Sequence, residues 1–368
     1  MKFLTLQKII VFTLFWMSIP LSFSQTIPLS EEAQISVLTC GTSNEVYALF
    51  GHTAIRVKDK RSGVDEVYNY GAFDFGTPNF ALQFVKGNLQ YFAVANSYPD
   101  FIANYSYEKR SVYEQVLNIS ASQKQRLFAL LNESLLLENR EYTYKFIDQN
   151  CTSMAVAVIN KAINQKVIVK KGDLKTSYRS ILYPYFNNHF YEQLGTSIIF
   201  GTKTDQAGTE IFLPFELKES LEQLPIVKQN NTLLEFKPEP NSSWWNNPYT
   251  YLVVLAFVLL INKKTTDTVY LASMGVLGIA FVILGFYSTH LELGNNYNIL
   301  LFNPILLVLL YFAKANNTKW MKYTLTINLI ALGIYTLLLL NKAHLWIVAP
   351  LIITSGVVLV RGFWKKEV

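Results

Sequence analysis

Residues 46–70 read VYALFGHTAIRVKDKRSGVDEVYNY, and the stretch spells two strands joined by a turn. Alternating apolar positions in His-Thr-Ala-Ile-Arg-Val at 52–57 suit a half-buried strand, with Val46 to Phe50 leading into it. Lys58 to Gly63 supplies the turn, and Glu66 to Tyr70 returns as the second strand. Downstream, a Gly-Ala-Phe-Asp-Phe-Gly loop at 71–76 precedes a short helix expected over Phe80 to Lys86. Strands are expected over Leu89 to Ser97 and Val112 to Leu117. Ser120 is a good N-cap for a helix carrying Lys124 through Leu137, because its hydroxyl can accept from an otherwise unpaired amide. Tyr142 to Ile147 is an extended aromatic run. Asp148-Gln149-Asn150 then opens a strongly helical segment from Cys151 to Ala162, which puts Cys151 in the first turn. Residues 26–240 thus read as mixed α and β.

The two ends of the chain read differently. Lys2 and Lys8, an apolar core from Ile9 to Leu21, and small residues Ser22 and Ser24 before Gln25 form a signal peptide pattern. From about Leu217 to Trp245, with Pro225, Pro238, Pro240 and paired serines, the chain reads as a connector. Five apolar spans follow, at about Tyr249 to Ile261, Val269 to Tyr287, Ile299 to Phe312, Tyr323 to Leu340 and Leu345 to Val360. The first and third are short and reach spanning length only with flanks such as Trp244, Trp245, Asn303 and Pro304. With the soluble domain outside, Lys263, Lys264, Lys314, Lys319, Lys322, Arg361, Lys365 and Lys366 all fall on the cytoplasmic side, and only Lys342 falls outside. The positive-inside rule therefore agrees with the signal peptide.

Composition supports this division. The chain has 368 residues, 51% of them hydrophobic, and a net charge of +6. The apolar residues are segregated into the C-terminal third, and the positive charge has its cause in the Lys and Arg beside the spans, so it does not argue for nucleic acid. Cys40 and Cys151 are the only cysteines, which excludes a disulfide-dense scaffold and leaves room for one bridge. Four histidines and two cysteines show no metal-ligand spacing, and no Gly-rich phosphate loop occurs; neither metal nor cofactor is expected.

The search for chemistry is short. At a helix N-terminus, unpaired amides and the positive end of the dipole favour a thiolate at Cys151, and the same amides can serve an oxyanion. His52, at a strand entrance, becomes a candidate general base when paired with that cysteine, since its imidazole can take and return a proton. If the two strands form a hairpin about Arg61, His52 lies roughly opposite Tyr70, with Asn69 and Asp74 nearby; Tyr70 is the favoured third group. Ordinary packing remains the alternative for each.

These residues resemble a known family. Leu38-Thr39-Cys40-Gly41, Val46 through Arg56, Val67 through Phe75, Tyr107-Glu108-Lys109-Arg110-Ser111-Val112-Tyr113-Glu114-Gln115 and Asp148-Gln149-Asn150-Cys151-Thr152 together resemble the Lnb N-terminal periplasmic domain family over most of residues 35–160. Tyr287-Ser288-Thr289-His290 through Asn298, with Asn303-Pro304, looks like its membrane half. The resemblance implies an α+β, circularly permuted NlpC/P60-like (papain-like) domain with the histidine strand ahead of the cysteine helix, followed by an all-α bundle of about five helices. It implies acyl transfer to the α-amino group of the lipidated N-terminal cysteine of a bacterial lipoprotein, through a Cys151 thioester with His52 shuttling the proton. Bacterial lipoproteins and membrane phospholipid or diacylglyceryl groups would be the partners, at the inner (cytoplasmic) membrane. Asn69, Asp74, Arg110, Asn150 and His290 are then candidates for binding substrate. Aromatic residues between Phe73 and Tyr113 can line an acyl pocket.

The expected division is a signal peptide over 1–24, a periplasmic catalytic domain over 25–216, a connector over 217–245, a transmembrane domain over 246–362 and a cytoplasmic tail over 363–368. Two other readings stay open: a cysteine hydrolase acting on cell-wall or lipid substrates, and a non-catalytic membrane-anchored binding or assembly module. A Cys40–Cys151 disulfide would remove the nucleophile. Five spans favour a lipid substrate, which a soluble cell-wall hydrolase would not need.

Overall fold

The alternation at 52–70 is realised as a hairpin inside a seven-stranded antiparallel sheet. The computed structural model describes residues 28–237 and 243–364. The expected signal peptide, Pro238, Pro240, Lys365 and Lys366 lie outside those residues. In chain order the first elements are β1 (Gln34–Cys40), β2 (His52–Asp59), β3 (Val64–Ala72), α1 (Phe80–Lys86), β4 (Gln90–Ser97), α2 (Tyr98–Tyr107), β5 (Val112–Leu117), α3 (Ala121–Glu133), β6 (Glu141–Thr143) and α4 (Cys151–Ile163). They continue with α5 (Tyr178–Leu182), α6 (Phe190–Ile199), α7 (Pro214–Glu222) and β7 (Val227–Leu234). The strand order is β6-β4-β3-β2-β1-β5-β7.

Successive side chains of a strand point to opposite faces, and here both faces are covered. Ile35, Val37, Ile55, Val57, Tyr68 and Tyr70 meet Ala155 and Ile159 of α4 and Leu127 and Leu131 of α3 in one core. Leu38, Cys40, Ala54, Val67 and Val112 meet Phe101 and Tyr105 of α2 in the other. Double burial explains why β1 (QISVLTC) lacks a clean alternation and escaped the strand reading. Ser120 caps α3 as expected, with Gln123 closing a capping box; such a cap contributes about 1 kcal/mol. Val46–Ala48 is a single 3-10 turn instead of a strand lead-in. Within the expected connector, residues 227–234 form β7 and pair with β5 along the edge of the sheet.

The C-terminal helices are α8 (Pro248–Ile261), α9 (Lys264–Tyr287), α10 (Ile305–Lys314), α11 (Thr318–Leu339) and α12 (Leu345–Leu359). Four runs among the described residues are long and apolar enough to cross a membrane: α9, Leu291–Lys314 ending in α10, α11, and Leu345–Phe363 beginning with α12. The expected five spans thus become four of full length and one short helix. Pro248 starts α8, and Asn262, in the left-handed conformation, ends it after 14 residues, about 21 Å at 1.5 Å per residue, against ~30 Å of hydrocarbon. Outward-facing Phe257, Leu260, Phe286 and Leu337 are each at least 60% exposed, as lipid-facing side chains are. The chain is a multi-pass membrane protein with an α+β domain ahead of a helical bundle.

The two halves are packed together by more than a tether. Helix α6 contributes Leu194, with Phe190 and Ile198 beside it, to the hydrophobic core of the bundle. Arg179, almost fully buried, bonds Asp205 at 2.7 Å, and Tyr297 of the bundle donates to the other Asp205 oxygen at 2.6 Å. Asn296 donates to the carbonyls of Ile198 and Ile199. Gly201 lies so close to the bundle that an added Cβ would stand 2.0 Å from the Gly294 carbonyl oxygen, an approach that only glycine permits.

Candidate active site

Helix α4 is held at its first turn by Asn150. Its Oδ1 accepts from the amides of Thr152 (2.9 Å) and Ser153 (3.1 Å), and the Asn150 amide donates to Ser153 Oγ at 2.8 Å. Its Nδ2 donates to the carbonyls of Phe146 and Phe212. The cap thus uses two first-turn amides, and a third, that of Met154, reaches the Asn150 carbonyl. A role at an oxyanion narrows to the Cys151 N–H. One residue on, Thr152 Oγ1 lies 2.9 Å from Thr53 Oγ1, so α4 and β2 are tied beside both members of the candidate pair.

Cys151 and His52, both half-buried, come together beside Gly71, close enough for each to shift the other's protonation. The imidazole Nε2 donates to Asn69 Oδ1 at 3.1 Å, leaving Nδ1 for the sulfur. Asn69 is itself oriented, since its Nδ2 donates to Val67 O (3.2 Å) and Asn96 Oδ1 (3.1 Å). Gly71 leaves room where the two groups meet. With φ at +148° it lies beside both groups, and a Cβ there would stand 3.3 Å from His52 Cε1 and 3.6 Å from Cys151 Cβ. Burial raises the Cys151 thiol, but the charge of His52 and hydrogen bonds from His52, the Thr53 amide and Thr152 outweigh it, and the net direction is down. Burial likewise lowers His52, while Cys151 and Asn69 raise it, and the net direction is up. Both shifts favour a thiolate–imidazolium pair.

The strand register corrects the third group. Ala54 pairs with Asn69, so Thr53 lies opposite Tyr70 and His52 opposite Gly71. The expected His52–Tyr70 pairing is off by one residue, and a slip of one reverses the face. Tyr70 accordingly points into the α3–α4 core and bonds Ser134 Oγ at 3.1 Å. Asn69 is the orienting group that the imidazole meets.

Four other expected binding residues have structural partners. Asn150 is committed to the cap. Arg110, buried, donates to Gly41 O at 2.9 Å, pairs with Glu108 and lies over the Tyr105 ring. Asp74 accepts from the Gly76 amide in an exposed turn. His290, buried at the seam, donates from Nε2 to Phe84 O at 2.9 Å. Both cysteines are free thiols.

The aromatic residues between Phe73 and Tyr113, expected to line an acyl pocket, include Phe73 and Tyr91, which pack with Tyr142 and Tyr144 from farther along the chain. Tyr91 stacks on Tyr144 with centroids 4.4 Å apart and packs against Tyr142 and Phe73. Burial, and then the nearby charge of Cys151, raise the hydroxyls of Tyr142 and Tyr91, the latter to about 12. These rings form an aromatic wall within reach of the charge of Cys151. Lys145, on the same run, donates to Gly87 O and to Thr289 of the bundle.

Comparison with known families matches the two halves separately. Residues 24–183 match the Lnb N-terminal periplasmic domain, and residues 240–366 match the Lnb transmembrane domain. The chain belongs to the Lnb family. The first match contains β1 through α5 and with them Cys151, His52 and Asn69, while α6, α7 and β7 lie between the two matches. No curated protein and no solved structure matches the chain.

Proposed function

We propose that this Lnb-family protein is a cysteine-nucleophile acyltransferase of lipoprotein maturation, resident in the inner membrane with its N-terminal domain in the periplasm. The observation that carries the reading is the imidazole of His52 held between Cys151 and Asn69, as proton transfer to and from a nucleophilic sulfur requires. The thiolate attacks the carbonyl carbon of a lipid acyl ester, and the oxyanion meets the Cys151 N–H. Collapse breaks the ester C–O bond, the leaving alcohol takes the proton from the His52 imidazolium, and a thioester remains. The neutral α-amine of a lipoprotein's lipidated N-terminal cysteine then attacks the thioester. His52 accepts the amine proton, the C–S bond breaks, and the ion pair is restored with an amide as product.

Family membership and the membrane bundle support this reading over a cell-wall hydrolase. Donor and acceptor are both lipid-anchored, and holding the domain at the bilayer makes their encounter local. The test is mass spectrometry of a lipoprotein N-terminal peptide from cells with the protein, without it, and with Cys151→Ala. N-acylation is expected only in the first. Unchanged N-terminal acylation in its absence removes the proposal.

A further inference from the structure

Helix α1 has no buried residue. Its Leu82 is 54% exposed and Phe84 39%, and Phe75, just ahead of it, is 68% exposed. A soluble domain scatters such residues singly, whereas here they are gathered on one short helix and its approach. The position of that helix is fixed by the bundle. The Thr289 amide donates to Lys86 O at 2.8 Å, Ser288 Oγ donates to Val85 O at 2.7 Å, and His290 holds Phe84 O. All three donors immediately follow the end of α9 at Tyr287, so α1 stands at the level where a full-length span leaves the hydrocarbon. Phe286, one residue before the end of the same span, is likewise apolar and 89% exposed. Lys86 places its ammonium 5.4 Å from the centre of the Tyr287 ring, an arrangement of Lys and Tyr suited to a membrane interface.

From this ledge the aromatic contacts run inward without a break. Phe75 meets Phe73 at 4.8 Å, Phe73 meets Tyr91 at 5.1 Å, and Tyr91 stacks on Tyr144, all centroid to centroid, on the side of the domain from which the charge of Cys151 is felt. We propose that Phe75 and α1 rest in the outer lipid leaflet and form the ledge across which a lipid acyl ester reaches Cys151 along the aromatic wall. The route rests on the proposed acyl transfer; the immersion of the ledge does not. An acyl chain that slides from leaflet to wall keeps its methylenes out of water.

The full-length protein in phospholipid nanodiscs tests both parts. Leu82→Trp adds one indole to the native ones, and its contribution is read as the difference from the unsubstituted protein. Quenching of that difference by phospholipids brominated near the glycerol end of their chains is expected, and an unquenched difference overturns the ledge. In the second arm, Leu82→Asp is expected to slow acyl transfer from vesicle lipid about tenfold, while iodoacetamide alkylates Cys151 at the original rate, showing the pair intact. Leu82→Phe is expected to restore transfer. Undiminished transfer by Leu82→Asp overturns the route. If the unsubstituted protein transfers no acyl group, the failure belongs to the proposed function, and the quenching arm still decides the ledge.

Discussion

Cys40 and Cys151 are both neighbours of His52, one across the β1–β2 ladder and the other from α4, and they pack on opposite faces of the sheet. Cys40 pairs with His52 across β1 and β2, is wholly buried, and has its thiol pushed up to about 12 by loss of water, which Tyr105 and Arg110 offset only in part. Cys151 sits half-buried at a helix start, where the imidazole and two further donors bring its thiol below the ordinary value despite burial. Proximity to a histidine therefore does not make a nucleophile. The difference lies in which side of β2 each sulfur occupies: Cys40 is a small apolar residue of the α2 core, and Cys151 meets the ring nitrogen that Asn69 leaves unused.

Several measurements sharpen that contrast. The largest effect is expected from His52→Ala, which removes the proton carrier and should lower acyl transfer about 10³-fold, measured on a lipidated peptide; it should also make Cys151 respond to iodoacetamide like an ordinary thiol. In the unsubstituted native protein, alkylation should fall on Cys151 and spare Cys40, as peptide mapping would show, and equal labelling would dissolve the contrast. Asn69→Ala is expected to reduce transfer about tenfold and to narrow the pH range of alkylation. The Asn69 bond holds His52 up; without it the imidazolium is lost at lower pH, and the thiol, losing its partner's charge, rises. Both limbs of the profile move inward, a change that mere loosening of the fold would not produce.

Smaller effects come from residues on the packing side. Cys40→Ala should preserve transfer within about twofold while lowering unfolding stability by about 1 kcal/mol, since it empties a small volume in a packed core. Tyr70→Phe should leave transfer unchanged and lower stability by about 1 kcal/mol or less through the lost Ser134 bond. A large loss of activity from Tyr70→Phe would restore it as the orienting group and overturn the register argument.

How much of this could be read from sequence differs along the chain. The 52–70 hairpin, the helix beginning at Cys151 and the Ser120 cap are local features, each fixed by alternation, polarity or a single hydroxyl, and all were legible. The choice between Tyr70 and Asn69 depended on the register, which a count from the turn leaves uncertain by one residue. Asp59 pairs with Val64 across residues 60–63, and that spacing decides which side chain faces His52. Helix α6 and strand β7 were not legible, because what stabilises them is distant in sequence: α6 depends on the bundle core, and β7 lies along β5 with a mostly polar sequence. The short α8 is a case in which apolar composition indicated a span but the Pro248 and Asn262 boundaries set its length.

The seam has a consequence for how the molecule is made. Ribosomes deliver residues 190–199 before the helices that receive them, so Leu194 and its neighbours have no partner until the later segments are threaded into the bilayer. The Ile147 amide, four residues before Cys151, is likewise bonded to Glu292 at 2.9 Å, a residue made long after it. The loop leading to Cys151 is therefore completed by the last third of the chain. A chain that failed to insert would lack both a seat for α6 and this bond in the loop before Cys151, so completion of the head and arrival in lipid are coupled.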